Sequence, residues 1–383
     1  MSALLPARAP ITSSSARSTP LHRRAARLGI AAVVVAAGLG WPVPSESASM
    51  IAGPHGTTSN RAAMPVAELP HESEADPRRA PPTVPGSQPL APAPPPDRRD
   101  APDPFILHDN GRYLLYSTQV GLHNVPVTTS PDLRHWSPPA DALPQLPAWA
   151  AWGRTWAPGV TQLADRYLLY FAAHHQSSGR QCTGVATSAD ADGPFVAQPT
   201  GPIVCQTRLG GSIDPHPFID ADGTPFLVWK ADGNAIGLPS TLFGQRLRPD
   251  GLALADQPVP LVSSDAPWEQ PLIENPALVA AGRSYVLLYS GGWWESAGYA
   301  VGYATCDTPL GPCTKITVDR PLLASASDQA GPGGACVITG PARDQWLAYH
   351  AWTPGAIGYD NGGTRSLRFA SLTWPNGQPA ISR

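Results

Sequence analysis

Residues 101–117 read APDPFILHDNGRYLLYS: an Asp-Pro step, an apolar run, an Asn-Gly turn, and a second apolar run ending on an aromatic. Asn-Gly between two such runs is a strong β-hairpin signal, because the tight turn needs positive φ at both central residues. The ending recurs as YLLYS (113–117), YLLYF (167–171), FLVWK (226–230), VLLYS (286–290) and WLAYH (346–350). Aligned on Tyr116, Tyr170, Trp229, Tyr289 and Tyr349, the copies stand 54, 59, 60 and 60 residues apart. Each is followed by a strand, a Gly/Pro/Asp turn and another strand, as in TSPDLRHWSP or ATCDTPLGPCTK. A fixed period of this size suits a four-stranded blade with its loops. No helical period is sustained between 101 and 383. The expected fold is all-β: a five-bladed β-propeller over 101–383 around a central channel. Two stacked β-sandwiches explain the even period less well.

The chain of 383 residues is 42% hydrophobic and 14% charged, enough to bury a core over most of its length. With 26 basic and 29 acidic side chains it has no basic surplus to neutralise phosphates, so nucleic acid is not an expected partner. Arg23, Arg24 and Arg27 precede the apolar run LGIAAVVVAAGLGWPV (28–43), and small residues follow. Residues 1–48 therefore read as an export signal, with an apolar run short of the roughly 20 residues a membrane span requires. Secretion follows, with no stable membrane association once the signal is cleaved. Residues 49–100, ending in RAPPTVPGSQPLAPAPPPDRRD, lack apolar periodicity and read as a disordered Pro-rich linker. In an exported chain, Cys306 with Cys313 and Cys182 with Cys205 are expected as disulfides, leaving Cys336 over. No CxxC spacing supports the competing metal reading.

Counting back 12–15 residues from each aromatic anchor reaches the start of the blade's first strand, which in a propeller lines the channel. Asp103, Asp214 and Glu274 stand there, whereas the second and fifth copies hold WAPGV (156–160) and GPGGA (331–335). One Asp before Pro is ordinary turn chemistry. Three like charges gathered without a basic partner destabilise a fold and drive pKa values apart, which is what acid–base catalysis exploits.

DPF (103–105), WAPGV (156–160), IDPHPFIDADGTPFLVW (213–229), ENPALV (274–279) and RSLRFASLTWPNGQP (365–379) occur in an order that resembles glycoside hydrolase family 43. The resemblance implies a five-bladed propeller and an inverting glycosidase acting on arabinose- or xylose-containing poly- or oligosaccharides. It makes Asp103 the general base, Glu274 the general acid and Asp214 the residue that orients and tunes the acid. Arg365 is implied to reach the sugar, while Trp156, by its place inside the second-blade motif, reads as a platform for stacking on it. Trp293, Trp294 and Trp352 are further candidate platforms. The sequence departs from the family pattern at Gly159, where an acid often stands, at Asn275, and at Gly334, where many relatives place a histidine that holds a channel calcium. No cofactor is required and channel calcium is not predicted; His350 reads as a hydrogen-bonded core residue. The expected activity is that of an α-L-arabinofuranosidase on arabinan or arabinoxylan. Endo-arabinanase, β-xylosidase and a non-catalytic sugar-binding propeller are the alternatives.

Overall fold

The computed structural model describes residues 93–382. The export signal expected at 1–48 and residues 49–92 of the expected linker lie outside the described residues. Five antiparallel sheets follow one another along the chain. The first strands of the blades are Phe105–Asp109, Ala150–Leu163, Ser212–Ile219, Ile273–Ala281 and Ala330–Thr339. Each packs beside the next, and the fifth returns to the first, closing the ring.

The second strands, Arg112–Tyr116, Arg166–His175, Pro225–Ala231, Ser284–Gly291 and Gln345–Trp352, explain the recurring apolar runs. Each lies between two neighbouring blades, so both faces are buried and the run is continuous rather than alternating. In the first blade Leu114 and Tyr116 pack with Leu169 and Phe171 of the second, while Tyr113 and Leu115 pack with Trp346 and Ala348 of the fifth. The other three interfaces have equivalent clusters. The anchors are fully buried and their polar ends are satisfied. Trp229 Nε1 donates to Gln206 Oε1, Tyr289 Oη to Glu269 Oε1 and Tyr349 Oη to Gln329 Oε1, each at 2.8 Å.

Those clusters also correct the repeat alignment. Tyr116 and Tyr170 face the following blade, whereas Trp229, Tyr289 and Tyr349 face the preceding one. A one-residue step exchanges the faces of a strand, so the counterpart of Trp229 in the second blade is Phe171, not Tyr170.

The expected domain boundary at 101 is also too late. Asp97–Asp100 forms a strand on Ser366–Thr373 of the fifth blade, pairing Asp97 with Leu367 and Asp100 with Ser366. The C-terminal strand Ala380–Ser382 pairs further along the same strand. Both ends of the domain thus close the ring at one sheet edge. Cys182–Cys205 and Cys306–Cys313 are bonded as expected, and Cys336 is free and buried.

Candidate active site

A left-handed kink recurs in or just before the first strand of every blade, at Asp103, Ala157, Asp214, Asn275 and Gly334, with φ of 51°, 40°, 55°, 51° and 60°. The first four each precede a proline. Where the flanking residues pair with the second strand, the register shifts across the kink, between Ile213 and His216 and between Glu274 and Ala277. Positive φ costs a non-glycine residue of order 1 kcal/mol or more, least for Asp and Asn.

The kinks show that Asp214 corresponds to Asn275, one position after Glu274. The equal count of 15 residues back from Trp229 and Tyr289 is a coincidence of hairpin length. The hairpin Ile219–Pro225 has a longer loop than Ala281–Ser284. Glu274 instead corresponds to Ile213, opposite Lys230 across the pair of strands.

Asp103, Trp156, Asp214, Glu274 and Arg365 nevertheless all line one cavity of about 590 Å³. Asp103 is held from several sides. Thr118 Oγ1 donates to its Oδ2 at 2.7 Å and Asn275 Nδ2 to its Oδ1 at 3.2 Å. Arg365 Nη1 lies 3.5 Å from Oδ2. Burial pushes the Asp103 carboxyl up, but the Arg365 charge and these hydrogen bonds outweigh it and hold it below the ordinary carboxylate range.

Glu274 accepts at both oxygens, from Tyr299 Oη at 2.8 Å and from Lys230 Nζ at 2.9 Å. Lys230 is only 1% exposed and also lies 3.0 Å from Asp232 Oδ1. Asp214 Oδ2 accepts the Asn275 backbone N–H at 2.9 Å. Burial, and then the charge of Glu274, push Asp214 well above the ordinary carboxylate value against the opposing pull of Lys230.

The expectation of acids without a basic partner is therefore corrected: Lys230 and Arg365 both come to them. Trp156 is half-buried at the cavity wall, with Trp293 and Trp294 also lining it. Trp352 is fully buried and stacks on Trp294, so it offers no platform.

Two glycines show why this chain departs from the family pattern. A Cβ at Gly159 would stand 2.6 Å from Pro215 O and Pro217 Cδ on the next blade, leaving no room for an acid. A Cβ at Gly334 would stand 2.8 Å from His350 Nδ1 and 3.0 Å from Asp103 Cα, leaving none for a histidine.

His350 does not fit as a channel metal ligand either. It is fully buried, and its Nδ1 accepts the Asp103 backbone N–H at 3.0 Å. Burial, with Arg365 nearby, lowers its pKa to about 3, so the ring is neutral and its proton resides on Nε2. That nitrogen has no protein partner but is a donor, not a ligand. Among the described residues one His/Cys/acid cluster has metal-ligand spacing, His175 with Cys182 and Cys205. Its two cysteines are bonded to each other.

Lys230, Tyr299, Asn275 and Thr118 were not expected at the site. Lys230 ends the quoted FLVWK run, and a search for what balances three buried carboxylates points to it.

An extracellular endo-α-(1→5)-L-arabinanase of Thermotoga petrophila is 27% identical over 253 residues, covering 55% of this chain and 50% of that protein. The chain thus spans about half the length of this relative. A crystal structure of a thermostable family-43 glycoside hydrolase superposes with a TM-score of 0.66 at 27% identity, over 74% of this chain and 92% of that one. An endo-1,4-β-xylanase of Bacteroides thetaiotaomicron gives 0.65 at 26% identity, over 75% and 96%. The model of the glycosyl hydrolases of family 43 matches residues 95–379, and the chain belongs to that family.

Proposed function

We propose that the protein is a secreted inverting glycoside hydrolase, with α-L-arabinofuranosidase action on arabinan or arabinoxylan as its principal activity. Ionised Asp103 takes a proton from a water that attacks the anomeric carbon. Glu274 gives a proton to the leaving oxygen on the opposite face. Asp214, from the neighbouring blade, tunes and orients the acid through the Asn275 backbone. Trp156 stacks on the sugar, and Arg365 serves the sugar as well as Asp103.

The observation that carries this reading is that Asp103 and Glu274 line one cavity and are joined by a run of side-chain hydrogen bonds. Hydrogen bonds of 3.2, 3.2 and 2.8 Å run from Asp103 Oδ1 through Asn275 Nδ2 and Tyr299 Oη to Glu274 Oε1. The two oxygens therefore stand no more than about 9 Å apart, a ceiling that admits the roughly 6.5–9.5 Å span of an inverting pair. The lowered protonation tendency of Asp103 supports its role as the ionised base.

Support for a pentose polymer comes from the relatives, named as an arabinanase and a xylanase. The name of the former also supports export. Among the described residues no helix is long and apolar enough to cross a membrane.

The full chain is to be tested on debranched arabinan, arabinoxylan and xylo-oligosaccharides, with the first-formed anomer read by proton NMR. Arabinose released with inverted configuration is expected. A retained anomer discards the base role of Asp103, and no release by a folded protein favours a sugar-binding propeller.

A further inference from the structure

The strand Asp97–Asp100 is DRRD, with no apolar side chain to add to the core. What it contributes lies in what its charges hold. Asp100 Oδ1 accepts the Arg365 backbone N–H at 2.7 Å. The Asp100 carboxylate also accepts the Tyr359 hydroxyl, at 3.3 Å to Oδ1 and 3.1 Å to Oδ2. Tyr359 Oη in turn accepts Arg365 Nε–H at 3.0 Å. The guanidinium lies 4.8 Å from the Trp294 ring centre, 5.6 Å from Tyr359 and 6.0 Å from Trp352. Its remaining freedom is small, and Nη1 faces Asp103.

A carboxylate has no proton to give, so the Tyr359 O–H must point at Asp100. That leaves the Tyr359 lone pairs for Arg365 Nε–H. The direction of protons along Arg365, Tyr359 and Asp100 is thereby set at one end, by the strand that closes the ring.

We propose that Asp100 is a positioning residue: its carboxylate orients the Tyr359 hydroxyl, which aims Arg365 at Asp103 and holds that carboxylate ionised. The consequence for catalysis rests on the reading of Asp103 as the base. The other groups facing Asp103 are Thr118, Asn275, His350 and Tyr299, with Asp214 nearby, and none of them touches Asp100.

Asp100→Asn tests this with little change of shape. The amide oxygen still accepts the Arg365 backbone N–H, but its NH₂ now competes with Arg365 Nε–H for Tyr359 Oη. Simple removal of a neighbouring negative charge moves the titration of Asp103 to lower pH; loss of Arg365 alignment moves it to higher pH. The two explanations differ in sign.

In the full chain, the Asp103 carboxyl carbon is followed by ¹³C NMR, assigned by its disappearance in Asp103→Asn. Burial raises the titration of Asp100 itself, so that it already takes up a proton where Asp103 titrates. We expect Tyr359→Phe to raise the Asp103 midpoint by about one unit and Asp100→Asn to raise it by a smaller amount. The acidic limb of kcat/KM moves with it, an approximately tenfold loss on the acid side for Tyr359→Phe. A lower or unchanged midpoint in the folded variants overturns the proposal. Tyr359→Phe decides alone if Asp100→Asn does not fold. Turnover retained by Asp103→Asn discards the base reading separately and leaves the NMR test intact.

Discussion

Lys230 Nζ stands 2.9 Å from Glu274 Oε2, joining the second strand of the third blade to the first strand of the fourth. The lysine keeps Asp232 at 3.0 Å as a second partner, so it stays paired while a proton moves on or off Glu274. Lys230→Met leaves two buried carboxylates without their cation. Breaking such a pair costs about 3–5 kcal/mol, or roughly 10 °C in Tm for a domain of this size. Thermal unfolding at pH 7 measures it. A Tm within 2 °C of wild type, on the same scale, removes Lys230 from the forces that hold the two blades together.

Glu274→Gln keeps the shape of the side chain and one acceptor oxygen, puts an NH₂ in place of the other, and has no acidic proton to give. Hydrolysis of natural glycosides is expected to fall by about 10²–10⁴-fold. Aryl glycosides with good leaving groups need little protonation and retain more activity. Equal losses on both substrates, from steady-state kcat/KM, assign Glu274 to something other than the acid.

The ring was legible in the sequence because the second strand of each blade is buried on both faces, which writes the same apolar run five times. The site was legible for a less secure reason. Asp103, Asp214 and Glu274 do meet in one cavity, but Glu274 reaches it from the position before the kink and Asp214 from the kink itself. A count of residues cannot see the extra loop residues of one hairpin. Lys230 looked like the polar end of a strand, because what buries it comes from a neighbouring blade. Asp97–Asp100 looked like linker because an edge strand needs no apolar face; its pairing with Ser366–Thr373 is set wholly by distant residues.

Asp214 inverts the usual relation between carboxylates and pH. Its folded pKa is raised, so the folded state binds its proton more tightly than the unfolded chain. The associated stability is present below the unfolded value near 3.9 and is lost as pH rises through the folded value. The wild type takes on this penalty as pH rises through the folded value. Asp214→Asn removes it, while the amide oxygen still accepts the Asn275 N–H. The variant is expected to be less active yet a few degrees more stable than wild type at pH 7–8, with the difference vanishing near pH 3. A Tm gap that does not change with pH contradicts the raised value.

Thr118 ties the same site to the neighbouring blade. Its hydroxyl donates to Asp103 Oδ2 at 2.7 Å and accepts the Ala157 backbone N–H, also at 2.7 Å. Thr118→Val preserves the shape but removes both. A buried N–H left unpaired costs about 1–3 kcal/mol at every pH. The loss at Asp103 has a different signature. Its folded pKa is depressed, so the stability it contributes is present above the unfolded value near 3.9 and is lost as pH falls through the folded one. The Tm deficit of Thr118→Val is therefore larger at pH 7 than at pH 2.5–3, and only its constant part belongs to Ala157. The acidic limb of kcat/KM moves to higher pH in the same variant. Thr118→Ser, which keeps the hydroxyl, is expected to restore both. Failure of the serine to restore the limb, with Tm recovered, makes the Thr118 methyl group, not its hydrogen bond, responsible.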